Sequence, residues 1–355
     1  MRKPLDLRLH TSLPAERRAQ LRGSRRELGL QHGRQLQGAI HGFLRDRRAR
    51  VEALLPDAQS HGTLSARCGE HARLIERHLP DIAEEIHGLA EGAGIDVADA
   101  YLLQLRRELV GFSAIPRALA AQGDCTTFGR CRGGTALIGQ TVDLNGDMAR
   151  EATALDVTHA DGRRLLMLSF TGLLGYLGIN DRGLAVGINL VLAGRWQPGI
   201  PDYLVIRHLL DTCDTVEQAL ERMAALPLAS SRTLTLCDGQ RLVNVEHVLN
   251  DIAVIEGEEL VHANHFLHPR FHSADELNPF ARGSSLRRQD ACAAALRALP
   301  FDAAPAQYMR ILDEPPIDVP PKADIRRECT VASALMRVAE GELFIHPRGA
   351  ALAPH

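Results

Sequence analysis

Cys125 opens the run Cys125-Thr126-Thr127-Phe128, about a third of the way along a chain of 355 residues. The residues before it read as helical and those after it as β-hairpins. A reactive side chain at such a seam points to cleavage of the peptide bond that precedes it. Cleavage gives Cys125 a free α-amine beside its thiol, so one residue holds both nucleophile and base. With an intrinsic pKa of roughly 7.7–8.0, the amine is partly neutral near pH 7 and can take the thiol proton. No histidine partner is then required. Left uncut, Cys125 reads as a small core residue, because free cysteine is among the most buried types.

Two more residues fit such a centre. Asp143 follows at the end of the apolar run Ala136–Val142. If the segments carrying Cys125 and Asp143 pair as strands, the carboxylate reaches the new α-amine and can orient and tune it. Otherwise Asp143 caps a turn with Asn145-Gly146. Asn264 stands in Val261-His262-Ala263-Asn264-His265-Phe266-Leu267, just past a strand end. A side-chain amide can donate to a tetrahedral oxyanion without titrating; the other reading is a turn asparagine. The same segment holds His262, His265, His268 and His272, a set that could bind Zn²⁺. Pro269 and the neighbouring strand oppose the helix that such spacings need, and no HExxH motif is present.

These residues need elements to position them. Residues 14–49 lack proline after Pro14 and are rich in Arg, Leu, Gln and Ala, which predicts helix. Asp81 can cap a helix in which Ile82, Ile86 and Leu89 share a face, ended by Gly92-Ala93-Gly94. Asp96 to Leu109 reads as another helix, and residues 110–124 as an exposed connector. After Cys125, strands at 152–160 and 164–170 meet at Asp161-Gly162. Gly178-Ile179-Asn180 and Gly187-Ile188-Asn189 flank Asp181-Arg182-Gly183. Further hairpins turn at Asp238-Gly239 and Gly341. Helices interrupt at 202–225 and 283–299, the second with an apolar stripe of Leu286, Ala293 and Leu296. Tight turns join only antiparallel strands, so the fold class is α+β and layered.

Composition fits an ordinary globular protein, with 45% hydrophobic and 24% charged residues. A net charge of −3 predicts no nucleic acid and no anionic membrane partner. The arginines of the first fifty residues sit between apolar residues and read as a solvated face. No apolar run is long enough for a membrane span, and Met1 to Asp6 do not read as a secretory signal. Seven cysteines without disulfide or zinc spacing predict reduced thiols and a cytoplasmic location.

Several separated motifs then carry a resemblance. Glu84-Glu85-Ile86-His87-Gly88-Leu89-Ala90-Glu91-Gly92 and Gln104-Leu105-Arg106-Arg107-Glu108 precede the seam, where Asp124-Cys125-Thr126-Thr127 stands. Gly139-Gln140-Thr141-Val142-Asp143, Gly178-Ile179-Asn180 with Gly183-Leu184-Ala185, and Ser230-Ser231-Arg232 come next. His262-Ala263-Asn264-His265-Phe266, Ser284-Ser285-Leu286-Arg287 and Thr330-Val331-Ala332-Ser333 complete the order. In this order the chain, from about residue 25, resembles the isopenicillin-N acyltransferase family of N-terminal-nucleophile hydrolases.

The resemblance implies a four-layer αββα sandwich and self-cleavage between Asp124 and Cys125. Residues 1–124 become a helical α chain and residues 125–355 the catalytic core. It assigns Cys125 as nucleophile, Asp143 as its partner and Asn264 as oxyanion donor. Tyr176, Asn180, Arg232, Arg287 and Ser333 are substrate-pocket candidates. It implies a small-molecule amide substrate, no cofactor and, in one arrangement, a homodimer of processed heterodimers. Water on the acyl-enzyme makes an amidohydrolase; an amine acceptor makes an acyltransferase. A non-catalytic binding module and a metal hydrolase built on the histidines are the other classes. Asp124 replaces the Gly of the family's fungal enzyme, and Thr141-Val142 replaces the common Asn-Trp. Aromatics are only 4% of the chain, which suits an aliphatic or small polar acyl group.

Overall fold

The computed structural model describes residues 4–54, 61–111, 125–145, 147–321 and 323–348. Asp124, the rest of the connector from 112 and Gly146 lie outside them, as do residues 1–3. The segment before Cys125 forms β1 (Arg8–Thr11), β2 (Arg18–Gly23), α1 (Arg25–Gln35), α2 (Gln37–Arg45), α3 (Val51–Leu54), α4 (His61–His78), α5 (Pro80–Ala93) and α6 (Val97–Val110). The helix expected across 14–49 is therefore interrupted at its start. Ala19 and Leu21 point inward while Arg18, Gln20 and Arg22 point out, a period of two that outweighs helix propensity once a sheet edge is present. Ser24 then starts α1 with a capping box to Glu27. In α5, Ile82, Ile86 and Leu89 are buried as expected, but Leu79 holds the cap position and Gly94 ends the helix in the left-handed region.

Helices α1 and α5 meet backbone to backbone. A Cβ on Gly29 would lie 2.0 Å from the Glu85 carbonyl oxygen, and one on Gly92 would lie 2.2 Å from that of Leu30. Gly33 and Gly88 make the matching approaches. Only hydrogen at these four positions allows the pair to close.

After Cys125 come β3 (Thr127–Arg132), β4 (Thr135–Leu144), β5 (Ala152–His159), β6 (Arg164–Phe170), β7 (Leu177–Asn180), β8 (Ala185–Leu190), α7 (Asp202–Thr212) and α8 (Val216–Ala224). They are followed by β9 (Ser231–Cys237), β10 (Leu242–Val248), β11 (Asp251–Glu256), β12 (Glu259–His262), α9 (Pro279–Ala298), α10 (Pro305–Asp313), β13 (Cys329–Arg337) and β14 (Glu342–Pro347). The hairpins expected from the turn residues are present. In α9 the buried face runs through Ala281, Ser285, Arg288, Cys292 and Leu296, whereas Leu286 is exposed. Of the stripe expected there, Leu296 is buried, Ala293 is half-buried and Leu286 faces solvent.

One sheet has six strands in the order β1-β14-β13-β4-β3-β12, and the other has eight, β11-β10-β9-β8-β7-β6-β5-β2. Pairing is antiparallel except at two edges. There the first segment adds β1 parallel to β14 and β2 parallel to β5. Strands β3 and β4 pack on β8 and β9, so the sheets lie face to face. Helices α1 and α7 cover the eight-stranded sheet, and α9 and α10 the six-stranded one. The architecture is the αββα sandwich expected from the sequence, with the segments on either side of Cys125 interleaved in it.

Candidate active site

Cys125 sits just before β3, where pairing with β4 controls what faces it. Thr126 donates its N–H to the Thr141 hydroxyl at 2.9 Å, and Thr141 returns its own N–H to the Thr126 carbonyl at 2.9 Å. The Thr141 hydroxyl is thus engaged in tying the Cys125 end of β3 to β4. This register brings the Asp143 N–H to 3.4 Å from the Cys125 sulfur. Both side chains are buried and line the same cleft. The Gln140 side chain bonds both the N–H and the carbonyl of Ile188, at 2.9 and 2.6 Å, which clamps β4 to β8 of the opposite sheet.

The Cys125 carbonyl is held from the other side. Asn189 on β8 donates to it at 2.9 Å, and also to the carbonyls of His262 and Ala263. Arg288 on α9 donates to it at 3.2 Å, to the Thr126 hydroxyl at 2.8 Å and to the Asn264 side-chain oxygen at 2.7 Å. A guanidinium only donates, so the atom facing it is the Asn264 oxygen and its NH₂ points the other way. One N–H of that group goes to the Leu190 carbonyl at 2.8 Å. Leu190 itself lines the cleft. Asn264 is buried behind Leu190 and is not among the residues that line the cleft. The Asn264 backbone is pinned by the Ser285 hydroxyl at 2.8 Å.

The cleft is narrow: about 60 Å³ of it is open to water-sized molecules, within about 750 Å³ of empty space that includes open solvent. Its walls include Phe43, Leu103, Phe170, Leu173, Tyr176 and Tyr203. The low aromatic content of the chain therefore misleads, because four aromatics gather here. The Tyr176 hydroxyl lies 3.8 Å from the Cys125 sulfur, and its ring stacks on Tyr203 and meets Phe170 edge-on. Burial first, and then the neighbouring thiol, push the Tyr176 phenol well above its usual range, so it stays a donor. Arg232 also lines the cleft, pairs with Glu108 at 3.2 Å and lies over the Trp196 ring. Burial pushes Glu108 up to about 7 although Arg232 pulls the other way.

Other expected pocket residues lie elsewhere. Asn180 is buried in its hairpin, donating to the Leu210 and Cys213 carbonyls and accepting from the Arg182 and Leu184 N–H groups. Its bonding capacity is used by the turn, not by a ligand. Arg287 is exposed, and the neighbouring Arg288 occupies the buried face instead. Ser333 is buried in β13 opposite Thr141 and does not line the cleft. The histidines are dispersed. His262 bonds Glu246 at 2.8 Å and His265 bonds the Ser285 hydroxyl at 2.8 Å. His268 caps a short 3-10 turn and His272 bonds the Leu267 carbonyl. Among the described residues no three His, Cys, Asp or Glu side chains converge as a metal site. Glu246 also takes the N–H groups of Leu267 and His268, so it shapes the loop that carries Asn264.

Sequence reasoning missed Asn189 and Arg288. Each had a signal: an amide near the end of an otherwise apolar strand, and an arginine in phase with Ser285, Cys292 and Leu296 on a buried helix face.

The model of the acyl-coenzyme A:6-aminopenicillanic acid acyl-transferase family matches residues 131–339. The chain belongs to this family. It is 25% identical over 273 residues to the 40 kDa form of the Emericella nidulans acyl-coenzyme A:6-aminopenicillanic-acid-acyltransferase, covering 72% of this chain and 71% of that one. Among solved structures, penicillin V acylase from Agrobacterium tumefaciens matches with a TM-score of 0.45 at 13% identity, covering 65% of this chain and 84% of that one. A mutant conjugated bile acid hydrolase from Clostridium perfringens matches with a TM-score of 0.45 at 11% identity, covering 63% and 89%. Among the described residues no helix is long and apolar enough to cross a membrane.

Proposed function

We propose that the chain is cut before Cys125 and that the freed residue cleaves a linear amide. The α-amine takes the thiol proton, and sulfur attacks the amide carbonyl carbon. Asn264 and a backbone N–H carry the oxyanion. The C–N bond breaks, the amine leaves with the proton from the α-ammonium, and the acyl group remains on sulfur as a thioester. Water then gives the acid and regenerates the thiol. The observation that carries this reading is the Cys125 sulfur in an apolar cleft, 3.4 Å from the Asp143 N–H. Asp143 orients the new α-amine. The thiol chemistry fits a cytoplasmic, reducing location.

The family description and the curated relative favour a second reading, in which an amine displaces the thioester and the protein is an acyltransferase. An amide library assayed for released amine and acid together separates them. Amine without equivalent acid, in the presence of an acceptor, supports transfer; equal amounts support hydrolysis. No release of amine from any member, by protein carrying an intact thiol, would sink both.

A further inference from the structure

Away from the cleft, Cys131 and Cys237 face each other between the two sheets. Side chains alternate along β3. Phe128 and Arg130 point outward, to the Tyr308 ring and to the carbonyls of Leu296 and Leu299. Thr127 points inward and donates its hydroxyl to Asn189 on β8, so Gly129 and Cys131 share the inward face. On β9, Thr233 points inward to His262 of β12 at 3.2 Å, so Thr235 and Cys237 share that face. The sheets are close here. A Cβ on Gly129 would lie 2.6 Å from the Leu242 side chain, and Leu242 is the strand partner of Cys237. Cys131 is the next inward residue after Gly129. Its thiol is in hydrogen-bond contact with that of Cys237, and both cysteines are free.

The two thiols are not equivalent. Cys237 is fully buried, whereas Cys131 is 9% exposed and lies beside the exposed turn residues Arg132, Gly133 and Gly134. The hydrogen bond from Cys237 draws the Cys131 thiol below its ordinary range, against burial, Asp238 and Glu258. The same contact, and then burial, hold Cys237 well above that range. Thiolate is the reactive form, so Cys131 meets an oxidant first. We propose that Cys131 and Cys237 form an oxidation site that consumes a small hydroperoxide and closes to a disulfide between the two sheets. The Cys131 thiolate takes one peroxide oxygen as the O–O bond breaks, becoming a sulfenic acid. The other oxygen leaves as hydroxide and takes up the proton the thiol had lost, giving water. The Cys237 sulfur then attacks the Cys131 sulfur, and the S–O bond breaks. That oxygen leaves as a second water with the Cys237 proton. The two thiols lose two electrons and two protons, and the peroxide is reduced by two electrons. Both cysteines lie after Cys125, so the link depends neither on the proposed cut nor on the amide chemistry. It would tie β3, which runs on from Cys125, to β9, which carries Arg232 of the cleft wall.

The test treats folded full-length protein with hydrogen peroxide, blocks the remaining thiols with N-ethylmaleimide and maps peptides without reductant. A peptide pair joining Cys131 to Cys237, lighter by two hydrogens, should appear, and dithiothreitol should reverse it. Oxidation should raise Tm by roughly 5–10 °C, because the link constrains the unfolded chain. Cys131→Ser should abolish both the linked pair and the rise in Tm. Cys237→Ser lacks the thiol that resolves the sulfenic acid, so dimedone should label Cys131 several-fold more than in the wild type. Absence of the linked pair at peroxide levels that oxidise Cys125 overturns the proposal. So does a linked pair that forms only in urea-unfolded protein, or a folded Cys237→Ser variant with no dimedone on Cys131. If a serine variant does not fold, the wild-type peptide map still decides.

Discussion

Arg288 donates to the Asn264 side-chain oxygen at 2.7 Å, and the same guanidinium reaches the Cys125 carbonyl at 3.2 Å. One buried cation thus ties the residue that would carry the oxyanion to the residue that would attack. Fixing the oxygen also fixes which way the amide hydrogens point. Truncating Asn264 to alanine should lower kcat by roughly 10²–10³ with little change in KM, because an oxyanion donor acts mainly in the transition state. Steady-state kinetics on mature protein provide the check, and an unchanged kcat removes Asn264 from the site.

Arg288 acts through its neighbours, so it is a positioning residue. Arg288→Ala should lower kcat by roughly 10²-fold, the scale of a small misplacement of reacting groups. Arg288→Lys should rescue little, since a point charge cannot reproduce three directed contacts. A role in folding alone would instead show as lower Tm with normal kcat per active thiol.

Wild-type protein should mature to two chains held without a covalent link. A cut before Cys125 leaves 124 residues and, by subtraction from 355, 231 residues. The first segment should stay bound, because it supplies both parallel edge strands and a buried ion cluster. In that cluster Arg207 on α7 meets Glu85 on α5 at 2.9 Å, and Arg25 on α1 meets Asp211 at 2.6 Å. Cys125→Ala should remain one chain. Intact-mass spectrometry reads both outcomes, and an active but wholly uncut wild type would defeat the α-amine mechanism.

Gly92→Ala should lower Tm sharply. Its Cβ would meet the Leu30 carbonyl oxygen at 2.2 Å, and backbone cannot step aside as a side chain does. The cost should reach or exceed the upper end of the usual ~1–3 kcal/mol for overpacking. Gly38 in α2 has nothing within 4 Å of an added Cβ, so Gly38→Ala should stabilise by roughly 0.5–1 kcal/mol. Thermal melts of the pair make the comparison; equal shifts would contradict the close approach of α1 and α5.

Stability should fall on mild acidification. Burial first, then Arg207, pushes His32 down to about 3. Burial, followed by His262 and Arg282, pushes His265 down to about 4, and burial also lowers His71 and His208. An unfolded histidine titrates near 6.5, so below about that pH the unfolded chain binds protons the folded chain refuses. Their contribution is intact above that value and is lost as pH falls toward the folded values. Tm should drop between about pH 7.5 and about pH 5, and His32→Leu should flatten part of the slope. A Tm that rises over that interval would contradict the burial of neutral imidazoles.

Much of this protein is legible in its sequence. Turn residues such as Asp161-Gly162 and Asp238-Gly239 locate hairpins because their backbone demands are local. Cys125 and Asp143 can be picked out because a strand pair converts their separation into proximity, and the ordered motifs carry the family and its sandwich. Strand β2 is not legible: its arginines and leucine suit a helix, and only the edge of β5 selects the extended form. Helix α9 lacks a strong apolar face, so choosing Arg288 over Arg287 requires the sheet beneath it. Asn180 and Asn189 look alike as strand asparagines, yet one closes its own turn while the other reaches across to the Cys125 carbonyl. Local chemistry fixes turns and periodicities, but which polar side chains face a shared cleft depends on two sheets and a helix packed from distant parts of the chain.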